Sequence, residues 1–230
     1  MKLSIIMPVL NEAAGIEAAL RALVPLRARG AEVIVVDGGS NDGTIELARP
    51  LADRVLSAPR GRAAQMNAGA AAAHGDALLF LHADTRLPDD ADALVRDGLS
   101  RRSGRPWGRF DMRFDRGGRL RLVAFMMNAR SRLTGIATGD QAMFMTRAAF
   151  DQAGGFPDIA LMEDIALSAR LKRLGRPLCM SARVTTSGRR WRAHGTLRTI
   201  LLMWRLRLAF FLGSDPGELA RQYGYAGAKH

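Results

Sequence analysis

The chain has 230 residues, enough for one folded domain, or one domain with an appendage, around a sizeable core. Its 48% hydrophobic and 24% charged residues are an ordinary balance for a folded soluble protein. The single cysteine, Cys179, excludes an intramolecular disulfide framework and a cysteine-based zinc site, and is compatible with a reducing cytoplasm. The N-terminal Met1-Lys2-Leu3-Ser4 runs straight into a short apolar strand, unlike a signal peptide. No stretch reaches the ~18 consecutive apolar residues of a transmembrane helix. The net charge of +12 is localised. Between Ile165 and Ser214 there are eleven Lys and Arg residues and no Asp or Glu, and the rest of the chain is nearly balanced. Such a field suits phosphates, anionic lipid or nucleic acid, without choosing among them.

In chain order, Leu3–Val9 is a short apolar run that predicts a buried strand. Residues 15–26 carry Ile16, Ala19, Leu20, Leu23 and Val24 at helical spacing. Glu32–Asp37 (EVIVVD) predicts a second strand, followed at once by Gly-Gly-Ser-Asn-Asp-Gly. Thr44 then caps a helix through Ala52, Arg54–Ser57 is a third strand, and 62–74 is alanine-rich and helical. Ala77–Leu81 (ALLFL) is another buried strand, ending at His82-Ala83-Asp84. This alternation predicts an α/β fold with a mostly parallel central sheet and helices on both faces.

Beyond residue 100 the pattern changes. Residues 105–114 (RPWGRFDMRF) alternate like an exposed or edge strand, 120–133 reads as a helix and 141–145 as a short strand. Residues 163–174 form an amphipathic helix stopped by Gly175 and Pro177, and 178–186 a last strand. Residues 196–212 are helical and very apolar, and Asp215-Pro216 opens a short final helix. The expected organisation is a catalytic domain over 1–190 and a basic, apolar helical extension over 191–230.

Ligands of an open parallel sheet bind at the carboxyl ends of its strands. Here those ends deliver Asn11-Glu12, Asp37 through Asp42, and His82-Ala83-Asp84. The second block reads equally as a strand–turn–helix junction, because turns use Asp, Asn and Gly. Acids at three successive strand ends repel one another unless a ligand or cation joins them. The first strand is followed by Leu10-Asn11-Glu12 rather than G-x-G-x-x-G, which argues against a dehydrogenase, and no P-loop is present.

Taken together, Ile5–Glu12, Asp37–Thr44, Gln65–Gly69, Phe80–Thr85, Gly139-Asp140-Gln141 and Glu163-Asp164 resemble, in order, the motifs of family-2 glycosyltransferases of the GT-A fold. The resemblance implies an inverting, hexosyltransferase-like enzyme that moves a sugar from a nucleotide-diphosphate sugar to an acceptor hydroxyl. Pro8 and Glu12 match the loop lining the nucleotide pocket, and Asp37 the acid that recognises the base. Arg62, Asn67 and Asp140 are expected on the donor side. Asp84 matches the last acid of the family's D-x-D metal motif, with a divalent cation, Mn²⁺ or Mg²⁺, as cofactor. His82 stands where the first acid of that motif usually lies, and as a direct ligand it would favour manganese. Its alternative role is a nearby hydrogen bond. Asp164 matches the catalytic base, with Glu163 as an orienting neighbour and dipole complementarity as the alternative for both.

Ser187-Gly188-Arg189-Arg190-Trp191 matches a Q-x-x-R-W motif of some processive members at Arg190 and Trp191 but not at Ser187. A role for those two near the diphosphate or acceptor survives, beside a plain basic loop. His194 is a weaker candidate for reaching the metal. Leu197, Ile200, Leu201, Trp204, Leu208 and Phe211 share one face of the apolar helix, flanked by Arg198 and Arg205. That face either packs on the catalytic domain or lies in a membrane interface, where a lipid-linked acceptor would be met. The expected location is cytoplasmic, with peripheral membrane contact. A basic nucleic-acid or membrane-surface module leaves the strand-end acids unexplained, and a sugar nucleotidyltransferase would carry a glycine-rich basic loop after the first strand.

Overall fold

The computed structural model describes residues 1–100 and 104–225, the side chains of Arg190 and His194 excepted. Arg190 as a donor-side residue and His194 as a metal-reaching one therefore lie outside the described side chains. Among the described residues, eight strands form one sheet. β1 (Leu3–Val9), β2 (Glu32–Asp37), β3 (Arg54–Ser57) and β4 (Ala77–Phe80) run parallel in the order β3-β2-β1-β4. The sheet continues through β7 (Phe144–Thr146), β6 (Trp107–Phe114), β8 (Leu178–Thr186) and β5 (Thr85–Arg86). β7 is antiparallel to both neighbours, β5 is antiparallel to β8, and β6 and β8 are parallel.

Every residue of β2 is buried, as a continuous apolar run flanked by two strands requires. Period-two alternation divides β1 between two cores. Leu3, Ile5, Met7 and Val9 face α1 (Ala13–Arg21), α2 (Val24–Ala28), α5 (Ala91–Gly98) and α6 (Leu120–Thr134). Ile6 faces the other way with Ile34, Val36 and Phe80, toward α4 (Arg62–Ala72), α7 (Arg147–Gln152) and α8 (Glu163–Leu171). Each such fully buried aliphatic side chain contributes about 1.5–3 kcal/mol. Gly69 lets α4 lie close to the sheet, since a Cβ there would sit 2.4 Å from Ile6 Cγ2.

Pro8 inside a central strand needs an explanation, because proline removes a ladder donor. The β1–β4 register ends at Ile6 and Phe80, and the Leu81 amide donates to the Ile6 carbonyl. Pro8 has the same parity as Ile6, so its missing N–H falls where β4 has already left the ladder.

Four local expectations change. The helix expected over 15–26 is two, α1 and α2, because Pro25 near the start of α2 cannot continue the hydrogen-bond ladder. Thr44 is the first residue of α3 (Thr44–Ala48), with Gly43 rather than Thr44 at the cap. The strand expected over 141–145 begins later, because Gly139–Gln141 is a 3-10 turn. The segment read as an exposed or edge strand is β6, inside the sheet between β7 and β8. Its charges are buried as a paired network. Arg109, fully buried, pairs with Asp111 and donates to Ser131 Oγ at 3.1 Å, and Arg132 reaches the other Asp111 oxygen at 2.7 Å.

At the C-terminal side lie α9 (Arg189–His194), α10 (Thr196–Phe211) and α11 (Pro216–Tyr223). The boundary expected between 190 and 191 falls inside α9. Leu206, Leu219 and Ala220 of α10 and α11 pack on Leu161, Met162 and Ile165 at the start of α8. Asp215 caps α11 by accepting from the Glu218 amide at 2.8 Å, as its Asp-Pro start predicts. Among the described residues no helix is long and apolar enough to cross a membrane.

Candidate active site

Because β2, β1 and β4 are adjacent and parallel, their carboxyl ends share one edge of the sheet, and the loops that follow them meet there. The first two loops are sewn together. The Asn11 amide donates to Ser40 Oγ at 2.8 Å, and Asn11 Oδ1 accepts from the Asn41 amide at 3.0 Å. The Glu12 amide donates to Thr44 Oγ1 at 2.9 Å, and the Ala13 amide to Asp42 Oδ2 at 3.0 Å. Asp37, 1% exposed, accepts from the Gly39 and Ser40 amides at 2.8 and 3.0 Å. Asp37–Thr44 is thus a built turn, the junction its composition allowed.

The third loop meets two later segments. His82 Nδ1 lies 3.5 Å from Asp140 Oδ1. Its ring rests on Gly139, where a Cβ would come within 2.4 Å of two ring atoms, so only glycine leaves the imidazole in place. The Gly139 amide in turn donates to Asp164 Oδ2 at 2.7 Å, and the Ile165 amide donates to Asp164 Oδ1 at 2.7 Å. One 3-10 turn therefore positions both His82 and Asp164. Among the described residues the non-glycine positions with positive φ are Asn11 (53°), Ala142 (46°) and Met162 (71°). They adjoin Glu12, this turn and Glu163 respectively, so backbone strain collects where the polar residues converge.

Pairing of β5 with β8 brings the 187–191 segment alongside Asp84, with the Ser187 amide donating to the Asp84 carbonyl at 3.1 Å. Arg189 stands 3.9 Å from Glu12, and the Trp191 ring packs edge-on against Phe114 at 5.6 Å.

These segments enclose a cavity of about 800 Å³, lined by Glu12, Arg62, His82, Asp84, Asp140, Asp164 and Trp191 among others. These seven, all singled out from the sequence, are therefore brought together, with Glu163 beside them. Pro8, Asp37 and Asn67 are not among the lining residues. Asn67 instead exchanges two hydrogen bonds with the Phe156 backbone, at 2.8 and 2.9 Å, and anchors the loop before α8.

Sequence reasoning missed Arg130, Arg189 and Arg207 as lining residues and underrated Glu163. Arg189 and Arg207 lay within the acid-free stretch, but nothing local distinguished them from their neighbours. Burial pushes the Glu163 carboxyl up to about 7, and the adjacent Asp164 charge adds to the effect. Burial would also raise Asp140, but the His82 hydrogen bond, with the charges of His82, Arg62 and Arg207, holds it below the usual carboxylate range. Burial pushes Glu12 up, opposed by Arg189. The site thus combines carboxylates able to take a proton or hold a cation with guanidinium groups able to bind phosphate.

The Glycosyl transferase family 2 model matches residues 4–153. The succinoglycan biosynthesis protein ExoA of Rhizobium meliloti is 42% identical over 111 residues, covering 42% of this chain and 32% of the relative. A PGL/p-HBAD biosynthesis glycosyltransferase of Mycobacterium bovis is 38% identical over 100 residues, covering 40% of this chain and 39% of its own length. The matches thus span less than half of either relative. Among solved structures, a Pyrobaculum calidifontis mannosyltransferase in complex with GDP-Man and Mn²⁺ superposes with a TM-score of 0.65 at 21% identity, over 97% of this chain and 69% of its own. Glucosyl-3-phosphoglycerate synthase of Mycobacterium tuberculosis, in complex with Mn²⁺, UDP and glucosyl-3-phosphoglycerate, gives 0.60 at 21% identity, over 80% and 70%. These likenesses carry the GT-A fold, and the family match over residues 4–153 carries the assignment: the chain belongs to glycosyl transferase family 2.

Proposed function

We propose that the chain moves a sugar from a nucleoside-diphosphate donor to an acceptor hydroxyl, with inversion at the anomeric carbon and a divalent cation at the diphosphate. The observation that carries this reading is the convergence of Asp84, His82, Arg62 and Asp164 on one cavity at the carboxyl edge of the sheet. Arg62 and Arg189 flank the first loop and supply positive charge for the diphosphate. Asp164, fixed by two amide donors and facing the cavity, takes the acceptor's proton as the new bond forms. Inverting transfer needs only this one base, because the hydroxyl displaces the nucleotide directly.

Among the described residues no three His, Cys, Asp or Glu side chains gather as a ready-made metal site, so few protein ligands would hold the cation. Asp84 offers an exposed carboxylate, while His82 and Asp140 offer an imidazole and a second carboxylate in contact with each other. Sites of this kind use one or two protein carboxylates and take further oxygens from the substrate's phosphates. When bound, the cation would neutralise charge on the leaving diphosphate.

GDP-Man and UDP, named as ligands of the two structural relatives, define the first nucleotide sugar and nucleotide to test. A thermal-shift screen of nucleotides and nucleotide sugars with and without Mn²⁺ is expected to show a metal-dependent rise. At 100 times Kd the stabilisation is about 2.7 kcal/mol, or roughly 5–10 °C for a chain this size. No shift with any nucleotide or nucleotide sugar would sink the donor reading. Release of pyrophosphate rather than nucleoside diphosphate would instead mark a nucleotidyltransferase.

The surface supports peripheral membrane contact as well. Leu197, Leu201, Trp204, Leu208 and Phe211 form an outward stripe along α10, each 57–70% exposed, with Leu122 and Phe125 exposed on α6. Exposed Arg198 and Arg205 lie beside that stripe, suited to anionic headgroups. The protein is expected to float with anionic liposomes at low salt, and its absence from the floated fraction would remove this part of the reading.

A further inference from the structure

α6 and α10 both present a face to the cavity. Val123, Met127 and Arg130 on α6 recur at helical spacing, as do Ile200, Met203 and Arg207 on α10, and all six line the cavity. Each helix thus offers an apolar stripe that ends in an arginine. Nε and Nη2 of Arg130 and Nε of Arg207 are buried and have no hydrogen-bond partner among the described residues.

Half-buried guanidinium groups whose buried donors are unused are unfavourable unless an anion meets them. Burial pushes Arg130 down to about 10, and the charge on Arg207 pushes in the same direction. Burial likewise lowers Arg207, opposed by Asp164 and Asp140. Both arginines act on Asp164, and Arg207 acts on Asp140 as well. Arg130 and Arg207 thus line the same cavity from α6 and α10, elements other than those that carry Arg62 and Arg189. The guanidinium fork matches phosphate geometry, and the adjoining methionines and aliphatics suit a carbon chain.

We propose that Arg130 and Arg207 form a second anion subsite, distinct from the one for the donor's diphosphate, which holds a phosphate group of the acceptor and seats its apolar portion between α6 and α10. The inference rests on the reading of Asp164 as the base, because that reading defines which side of the cavity is the acceptor's.

Calorimetric titration with octyl phosphate below its micellar concentration tests it, with nucleoside diphosphate plus Mn²⁺ titrated in parallel. Octyl phosphate is expected to bind the parent chain. Arg130→Gln and Arg207→Gln should each weaken it at least tenfold while nucleoside diphosphate affinity stays within about twofold. Arg173→Gln, exposed just beyond the end of α8, should change neither. The buried donors these substitutions replace bond to nothing among the described residues, so each variant's melting temperature should stay near the parent's and lost binding is not lost folding.

Glycerol 3-phosphate binding as well as octyl phosphate would point to a soluble phosphate ester. Binding confined to octyl phosphate and to phosphatidate-containing vesicles, but not phosphatidylcholine vesicles, would point to a lipid headgroup. Unchanged octyl phosphate affinity in both variants overturns the subsite, as does a parallel loss of nucleoside diphosphate, which would return the pair to the donor. Absence of nucleoside diphosphate binding from the parent chain would count against the proposed donor alone, since the alkyl phosphate arm reads the arginines independently.

Discussion

Asp164→Asn is expected to lower turnover by ~10²–10⁴-fold, the usual effect of losing a general base, with donor and metal affinity little changed. The amide has the shape of the carboxylate but cannot take the acceptor's proton. The proposed donor and cation contacts lie on the first loop and the β4 edge, on other elements, so they should survive. The variant should also lose about 1–2 kcal/mol of stability. Both carboxylate oxygens accept backbone amides at 2.7 Å, and the amide nitrogen of asparagine cannot replace one of them. Measuring donor affinity, melting temperature and kcat on this variant separates three roles. A rise confined to KM would mark an acceptor-binding residue. A drop in melting temperature with normal kcat would mark a structural one. Normal kcat with chemistry rate-limiting would shift suspicion to Glu163 or Asp140, and Glu163→Gln would then be the next variant.

Asp84→Ala should abolish turnover together with the metal-dependent part of donor binding, at almost no cost in stability. The side chain is exposed, and the hydrogen bond it accepts, from Thr85 Oγ1, is long at 3.3 Å. The contact that joins the β4 edge to the 187–191 segment uses the Asp84 backbone carbonyl, which the substitution keeps. Isothermal titration of Mn²⁺ and donor, alone and together, reads the result. Parent-like binding of both by the variant would end the assignment of Asp84 as a metal residue. His82→Asp is the informative partner, since it restores the carboxylate usual in the family. It would also set a second acid beside Asp140, now 3.5 Å from the imidazole, making the site more dependent on a bound cation.

Local patterns carried much of this. The runs LSIIMPV and EVIVVD are apolar enough to be buried on both faces wherever they lie, so strand identity and the α/β class were readable directly. The rule that ligands gather at strand carboxyl ends then pointed to Glu12 and Asp84, whereas Asp164 was singled out only through the family resemblance. Three-dimensional adjacency decided the rest. Arg109 and Asp111 looked solvent-facing because charge argues for exposure, yet a buried charge is tolerated where partners meet it, and Ser131 and Arg132 come from α6. Asn67 finds its partner 89 positions away, at Phe156, and so serves the loop before α8. Arg130 and Arg207 are ordinary helix arginines by spacing, and only the packing of α6 and α10 around the cavity turns them inward. Hydrophobic period and turn chemistry act over a few residues, whereas charge compensation depends on which distant elements share a face, so the scaffold was legible along the chain and the inward turn of Arg130 and Arg207 was not.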